Sequence, residues 1–407
     1  MSEVVTIDVL GARGDGVTAD GLFVPGALPG EQVAVHRTGH RAQIDALLER
    51  SIHRVSAPCR HAGSCGGCVL QHASDEFIAE WKAELIARAL AARGLNGITI
   101  RPTITSPPAS RRRVTFSGRR TKKSVLIGLH ADSSDQIVPI HACEVARPAI
   151  VAGMPVFERI LTVGASRKGA LRLLVTLSIA GLDVAVAGGK PLEGGLYGEL
   201  ISAAATGNLA RLSWDGEVVV TRREPVQRFG SAVVVPPPGS FLQATEEGQE
   251  TLVDAVLQAT DGARRIADLF AGVGTFTLPL AHTAEVHAVE ADGAPLRALD
   301  RAWRHTEGMR KVSAETRDLF RRPLRPADFA PFDAAVFDPP RAGARAQAEQ
   351  LASSQIPRIA AVSCNPATFA RDARLLVDGG YRLDWVLPVD QFRWTPHVEL
   401  VAAFSRP

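Results

Sequence analysis

The chain has almost no excess of one charge: 46 Lys and Arg stand against 43 Asp and Glu in 407 residues, a formal net charge of +3. That balance does not by itself require a polyanionic partner, so nucleic-acid contact has to come from local clustering. No stretch reaches the roughly 18 uninterrupted apolar residues of a membrane-spanning helix. The most apolar run, LRLLVTLSIAGLDVAVAGG from Leu171, is broken by Arg172 and Asp183. It is rich in β-branched residues and reads as two strands and a turn. MSEVVTIDVL has no basic region followed by an apolar core, so no secretory leader is expected and a cytoplasmic location follows. There are only five cysteines, and in a reducing compartment thiols stay free unless they have a task. Internal repeats and low-complexity tracts are missing too. What remains is the composition of a soluble globular protein, 46% apolar and 22% charged, long enough for two or three domains.

Local patterns divide this length. Residues 1–52 read as a small β-barrel: VVTIDVL alternates, GARGDGV is a glycine-rich turn, and LFVPGALPGEQVAVHR gives two short strands. Gly11, Gly14, Gly16 and Gly21 suit turns that need φ > 0. A generic β module without ligand is the plain alternative. Residues 53–230 hold a cysteine cluster, then a capped amphipathic helix from Ser74 or Asp75 to Gly94, then mostly short strands. Within them Arg111–Lys123, RRRVTFSGRRTKK, carries seven basic and no acidic residues. Such a patch suits phosphates, or else is a solvated basic loop. After Pro236–Pro238 the pattern changes to alternating helices and strands over 231–407. That implies an open α/β sheet with ligands at the carboxyl ends of its strands.

In ADLFAGVGTFTLPLA a strand ending at Leu269 runs into Ala271-Gly272-Val273-Gly274 and a helix, a geometry that lets backbone approach an anionic ligand. The loop lacks the third glycine of the dinucleotide fingerprint. Glu290 ends the next strand, where a carboxylate can accept both ribose hydroxyls. Asp318 in ETRDLF is placed to meet an adenine amino group, or to serve as a helix cap or turn residue. FDPPRAGA follows. Arg341 stands where enzymes that methylate exocyclic amines tend to place an aromatic residue, which argues against that chemistry.

In AAVSCNPATFARDARLL, Cys364 ends an apolar strand ahead of a helix. There it would face the crevice, with its pKa lowered by the positive helix end. Burial as an inert thiol is the alternative for Cys364 alone. Carbon 5 of uracil is a poor nucleophile, and thiolate addition to carbon 6 converts it into an enolate carbon. A base must then take the carbon-5 proton; Glu399 in TPHVELVAAF is the candidate, with His397 two residues earlier on the same strand face. Cys59, Cys65 and Cys68 cluster, and Cys143 is the remaining thiol once Cys364 is set aside. The spacing points to metal and leaves zinc and iron–sulfur open, with His61 and His72 as competing zinc ligands.

DLFAGVGTFTLPLA, DPPRAG, VSCNP and HVE, in that order, resemble the RNA 5-methyluridine methyltransferases over nearly the whole chain. The resemblance implies a Rossmann-like methyltransferase domain using S-adenosylmethionine, an N-terminal RNA-binding TRAM barrel, and a central α+β domain. It implies Cys364 as nucleophile and Glu399 as base. Cofactor-binding positions that carry over are Gln243, Phe270, Glu290 and Asp318, with Thr275 (where the family often has asparagine) and Asp338, the last placed near the target base. ALDRAWRHTEGM also lacks the asparagines usual after the ribose-binding acid. CGGCxLQH with a distant cysteine resembles the [4Fe–4S] pattern of the branch acting on 23S ribosomal RNA, which implies Cys59, Cys65, Cys68 and Cys143 as ligands. Transfer RNA is the alternative substrate, and a non-catalytic RNA-binding iron–sulfur protein the rival class.

Overall fold

The structure, a computed structural model, describes residues 3–167 and 169–406; Met1 and Ser2 of the N-terminal segment lie outside them. The N-terminal sheet has six strands, more than the alternation suggests, in the order Glu3–Thr6, Gln32–Thr38, Arg41–Glu49, Phe23–Pro25, Asp15–Val17 and Val9–Leu10. Its apolar face closes over Ile7, Leu22, Val24, Val33 and Val35. Gly14 and Gly21 take the positive φ expected of them, but Gly11 and Gly16 do not. Gly16 lies in a strand, where an added Cβ would sit 2.9 Å from the Ala27 carbonyl. Close approach is its reason for being glycine.

The middle sheet has seven strands, ordered Ile137–Pro139, Val125–His130, Arg113–Arg120, Ala170–Ser178, Gly181–Ala187, Arg211–Trp214 and Glu217–Thr221. The apolar run from Leu171 is the expected pair of strands, antiparallel from Arg172 opposite Ala187 to Ser178 opposite Gly181. The basic segment is a strand rather than a loop, and the strand divides its charge. Arg112 is 1% exposed, and its guanidinium donates to the Gln243 carbonyl (3.1 Å), Gln227 (3.4 Å) and Gln249 (2.7 Å). Arg119, Lys122 and Lys123 reach solvent at the far end.

The third sheet has eight strands: Val312–Thr316, Glu285–Glu290, Arg265–Leu269, Ala334–Phe337, Arg358–Ser363, Glu399–Ser405, Arg382–Asp390 and Ile104–Thr105. The first five are mutually parallel, and Glu399–Ser405 runs antiparallel beside the fifth. Arg265–Leu269 is central, and the order reverses on either side of it, so the crevice opens at its carboxyl end. The capped helix appears as Asp75–Ala91, with the Ser74 hydroxyl accepting from the Phe77 amide. Its Ile86 and Leu90 pack into the core of this third sheet, and Ile104–Thr105 supplies its edge strand. The chain therefore visits this sheet before building the middle one. Among the described residues no helix is long and apolar enough to cross a membrane.

Candidate active site

The carboxyl edge of the third sheet gathers the expected chemical residues because its strands are in register. Ser363 pairs with Leu400 across antiparallel strands, so Cys364, the next residue, comes beside Glu399, which opens the neighbouring strand. Asn365 caps the helix Pro366–Asp378, accepting from the Ala367 amide at 3.1 Å. Asn365 also donates to the Arg341 carbonyl at 3.1 Å, which ties the DPPR turn to the SCNP turn. Cys364, Glu399, Arg341 and His397 line one cavity of about 890 Å³. His397 precedes the strand and is exposed, rather than sharing a strand face with Glu399.

The expectation of a lowered thiol pKa is not met. Burial, and then the carboxyl groups of Glu399 and Asp338, push the Cys364 thiol up to about 11, with Arg341 acting the other way. Those contributions outweigh the helix end. Burial and then Asp338 push Glu399 up to about 8, and burial and then Asp268 push Asp338 up to about 7. Asp268 is fully buried beneath them, pushed up to about 7 by burial; Thr277 donates to its Oδ2 at 2.5 Å and Oδ1 has no partner. The resting site is therefore rich in protons, held as a thiol and partly neutral carboxyl groups.

The opposite wall is basic and aromatic. Arg111 and Arg113 line the cavity, with Arg113 over Phe241 at 5.7 Å and Arg111 over Phe392 at 5.4 Å. Phe241 is 66% exposed. The sequence signal for it was slight: it follows a Pro/Gly turn and stands two residues before Gln243. Arg13, from the glycine-rich turn of the N-terminal sheet, reaches the same cavity. Asp268 was also missed; its place in the DLF segment two residues before Phe270 was the available signal.

Of the positions expected to hold the cofactor, Glu290 accepts from the amides of Gly272 (3.0 Å), Ala291 (2.7 Å) and Asp292 (3.1 Å). Phe270, at φ 65°, packs against the rings of Phe320 (5.5 Å) and Phe337 (6.1 Å). A Cβ on Gly272 would meet nothing within 4 Å, so the loop backbone there faces open space, as close approach by a ligand requires. The helix after the loop is a single turn, Thr277–Leu280, shorter than the pattern suggested. Asp318 accepts from the Phe320 amide at 2.9 Å, the turn role that stood as its alternative. Thr275 is half-buried beside the loop. Gln243 is 3% exposed and accepts from Gln391 at 2.5 Å.

Cys59, Cys65, Cys68 and Cys143 all line the cavity, as does His61. His72 does not: it is held down to about 4 by burial and then Arg54, and faces the N-terminal sheet. Burial pushes Cys68 up to about 12, with Cys143, Cys65 and Cys59 adding to the rise. Four thiolates sharing that space require a compensating cation, and the donor set is wholly sulfur. Among the described residues, however, no group of three or more His, Cys, Asp or Glu is closed into a metal-holding arrangement. The thiols share one wall without forming a coordination shell.

Residues 301–406 match the family model described as tRNA (Uracil-5-)-methyltransferase. An uncharacterized RNA methyltransferase of Brucella suis biovar 1 is 46% identical over 405 residues, 99% of this chain and 97% of that protein. The 23S rRNA (uracil(1939)-C(5))-methyltransferase of Halomonas elongata is 34% identical over 429 aligned positions, 97% of this chain and 87% of that protein. In fold, the chain is similar to the Pyrococcus abyssi tRNA (uracil-54, C5)-methyltransferase solved with S-adenosyl-L-homocysteine. The TM-score is 0.77 at 24% identity, covering 98% of this chain and 99% of that one. With such identity sustained over nearly its full length, the chain belongs to the RNA (uracil-5-)-methyltransferases, a family whose methyl donor is S-adenosylmethionine.

Proposed function

We propose that the chain methylates carbon 5 of a uridine in structured RNA, with 23S ribosomal RNA as substrate, Cys364 as nucleophile and Glu399 as base. The observation that carries this reading is the Ser363–Leu400 register, which sets thiol and carboxyl side by side in one cavity. The target base is flipped out of its stack to enter. Asp338 takes the thiol proton as Sγ of Cys364 bonds to carbon 6, and the electrons of the 5,6 double bond move toward the carbon-4 oxygen. S-adenosylmethionine, when bound, supplies the sulfonium methyl that carbon 5 takes up. Glu399, ionised once its resting proton has passed to solvent, then removes the carbon-5 proton, the sulfur–carbon bond breaks, and the 5,6 double bond is restored. Asp338 returns its proton to the departing thiolate. A carboxyl near 8 is suited to this work, since it exchanges protons readily close to neutral pH.

Phe270, Glu290, Asp318, Gln243, Thr275 and Asp338 form the cofactor pocket in this reading. Cys59, Cys65, Cys68 and Cys143 hold a [4Fe–4S] cluster, and the N-terminal sheet acts as a TRAM-like RNA-binding unit. Residues 1–52, 53–230 and 231–407 are the three functional divisions. A cytoplasmic location completes the reading, supported by free cysteines and an RNA substrate.

Mapping 5-methyluridine in RNA from a deletion strain tests the substrate. We expect one 23S position to lose its methyl group and to regain it on complementation. Loss confined to transfer RNA, which the description of the matched family model favours, would replace the ribosomal assignment. Anaerobic purification tests the cluster by iron and sulfide content and visible absorption; stoichiometric zinc without iron would remove it.

A further inference from the structure

A second groove, of about 530 Å³, runs between the helix Gly293–Arg304 and the strand Ala232–Val234 with the proline segment after it. Its floor is apolar: Val226, Val235, Pro236, Ala298 and Ala302 line it, and Val233 is 45% exposed on its strand. Along one side stand Arg297, Arg301 and His305, each four residues after the last and so on one face of the helix. The third arginine of that helix, Arg304, lies outside the groove and is paired with Asp300 at 2.8 Å. Arg297 and Arg301 are exposed, and among the described residues neither has a carboxylate partner. Arg211, buried in the wall, is already engaged with Asp183 and the Pro236 carbonyl, and Glu224 is the one acidic group of the lining. The rim therefore carries a net positive charge above an apolar floor, two unpaired arginines against one carboxylate.

Pro237 of the groove is four residues from Phe241 of the large cavity, a span of at most about 14 Å even when fully extended. The two sites are thus close enough for one strand of RNA to reach both. We propose that this groove is a docking track for the RNA strand flanking the target uridine. Arg297 and Arg301 meet phosphates, while sugar and base faces rest on the valine, proline and alanine floor. The inference rests on RNA being the substrate and assigns a new part of the surface to it, remote from Cys364 and Glu399.

The test uses the full chain and unmodified transcripts of two lengths: 23S ribosomal RNA, and a fragment ending a few nucleotides either side of the target. Affinity is measured over a range of KCl concentrations for wild type, for Arg297→Ala/Arg301→Ala and for Arg297→Lys/Arg301→Lys. Alanine keeps the helix, and thermal melts check the fold. We expect the alanine pair to bind the long RNA about tenfold more weakly, with a salt slope shallower by about 1.4, two single-strand phosphate contacts at roughly 0.7 each. The lysine pair should recover most of the slope, and the short fragment should bind all three proteins alike. An unchanged slope on both 23S and a transfer-RNA transcript overturns the proposal, as does an equal loss on both lengths. A transfer-RNA transcript showing the same slope change, where 23S does not, keeps the groove and overturns the ribosomal assignment, so the two readings fail separately.

Discussion

The large cavity has two unlike walls. On one stand half-buried Cys364 and buried Glu399; Asp338 and the buried Asp268 act on them in series, each disfavouring the negative charge of the next. On the other, Arg111 and Arg113 stand beside exposed Phe241 and half-buried Phe392. Charge held apart in this way separates two jobs. The proton-rich wall suits covalent chemistry at a base, and the cationic wall suits the phosphates that bring the base there. In the proposed mechanism the nucleophile rests as a thiol, with carboxyl groups beside it to take its proton.

Removing the nucleophile should do most to break this division of labour. Cys364→Ala should lower methyl transfer at least about 10³-fold and abolish the denaturation-resistant complex with 5-fluorouridine RNA. Persistence of that complex on gels would unseat Cys364. Next in size is Glu399→Gln, for which we expect turnover about 10²- to 10⁴-fold lower while the methylated covalent adduct accumulates. Wild-type single-turnover release should rise with pH through about 8, as Glu399 loses its proton, and the Gln variant should lack that limb. Rapid-quench assays across pH 6–9 read both.

On the basic wall, Arg111→Ala with Arg113→Ala should weaken RNA binding about tenfold and flatten its salt dependence, with chemistry on bound RNA little changed. A loss of the chemical step instead, in single-turnover assays at saturating RNA, would merge the two walls into one function. A separate effect concerns stability. Glu399 ordinarily titrates at 4.5 and in the fold is raised to about 8. Between those values the folded chain binds a proton that the unfolded chain has lost, so stability is full below about 4.5 and falls as pH rises to about 8. Glu399→Gln should therefore gain on wild type as pH rises, by roughly 4 kcal/mol at pH 8. Denaturant melts at pH 5 and pH 8 should show the difference growing; a constant difference would mean that Glu399 is not held protonated.

Much of the site was legible because strand-end motifs report local geometry. DLFAGVG, VHAVE, FDPP and VSCNP each carry their own turn, and the parallel order of their strands follows from alternation with helices. The capping of Asp75–Ala91 by Ser74 was equally plain, since a cap is a contact over three residues. What failed was burial. Arg112 lies in a run of basic residues that looks solvated, yet its partners are Gln227, Gln243 and Gln249, more than a hundred residues away. Nor did any pattern show that Asp75–Ala91 and Ile104–Thr105 belong to the sheet built from residues 265–405.

By itself, the sequence determined the α/β class of residues 231–407, the candidate thiol and carboxyl, and the five-cysteine inventory, because these depend on residue type and short-range periodicity. Tertiary structure alone decided that Cys364 stands beside Glu399, that both rest protonated, and that all five thiols open onto one cavity. The reason is physical. Side-chain identity is a local property, but protonation and proximity depend on which distant neighbours exclude water, and only strand register and packing set those.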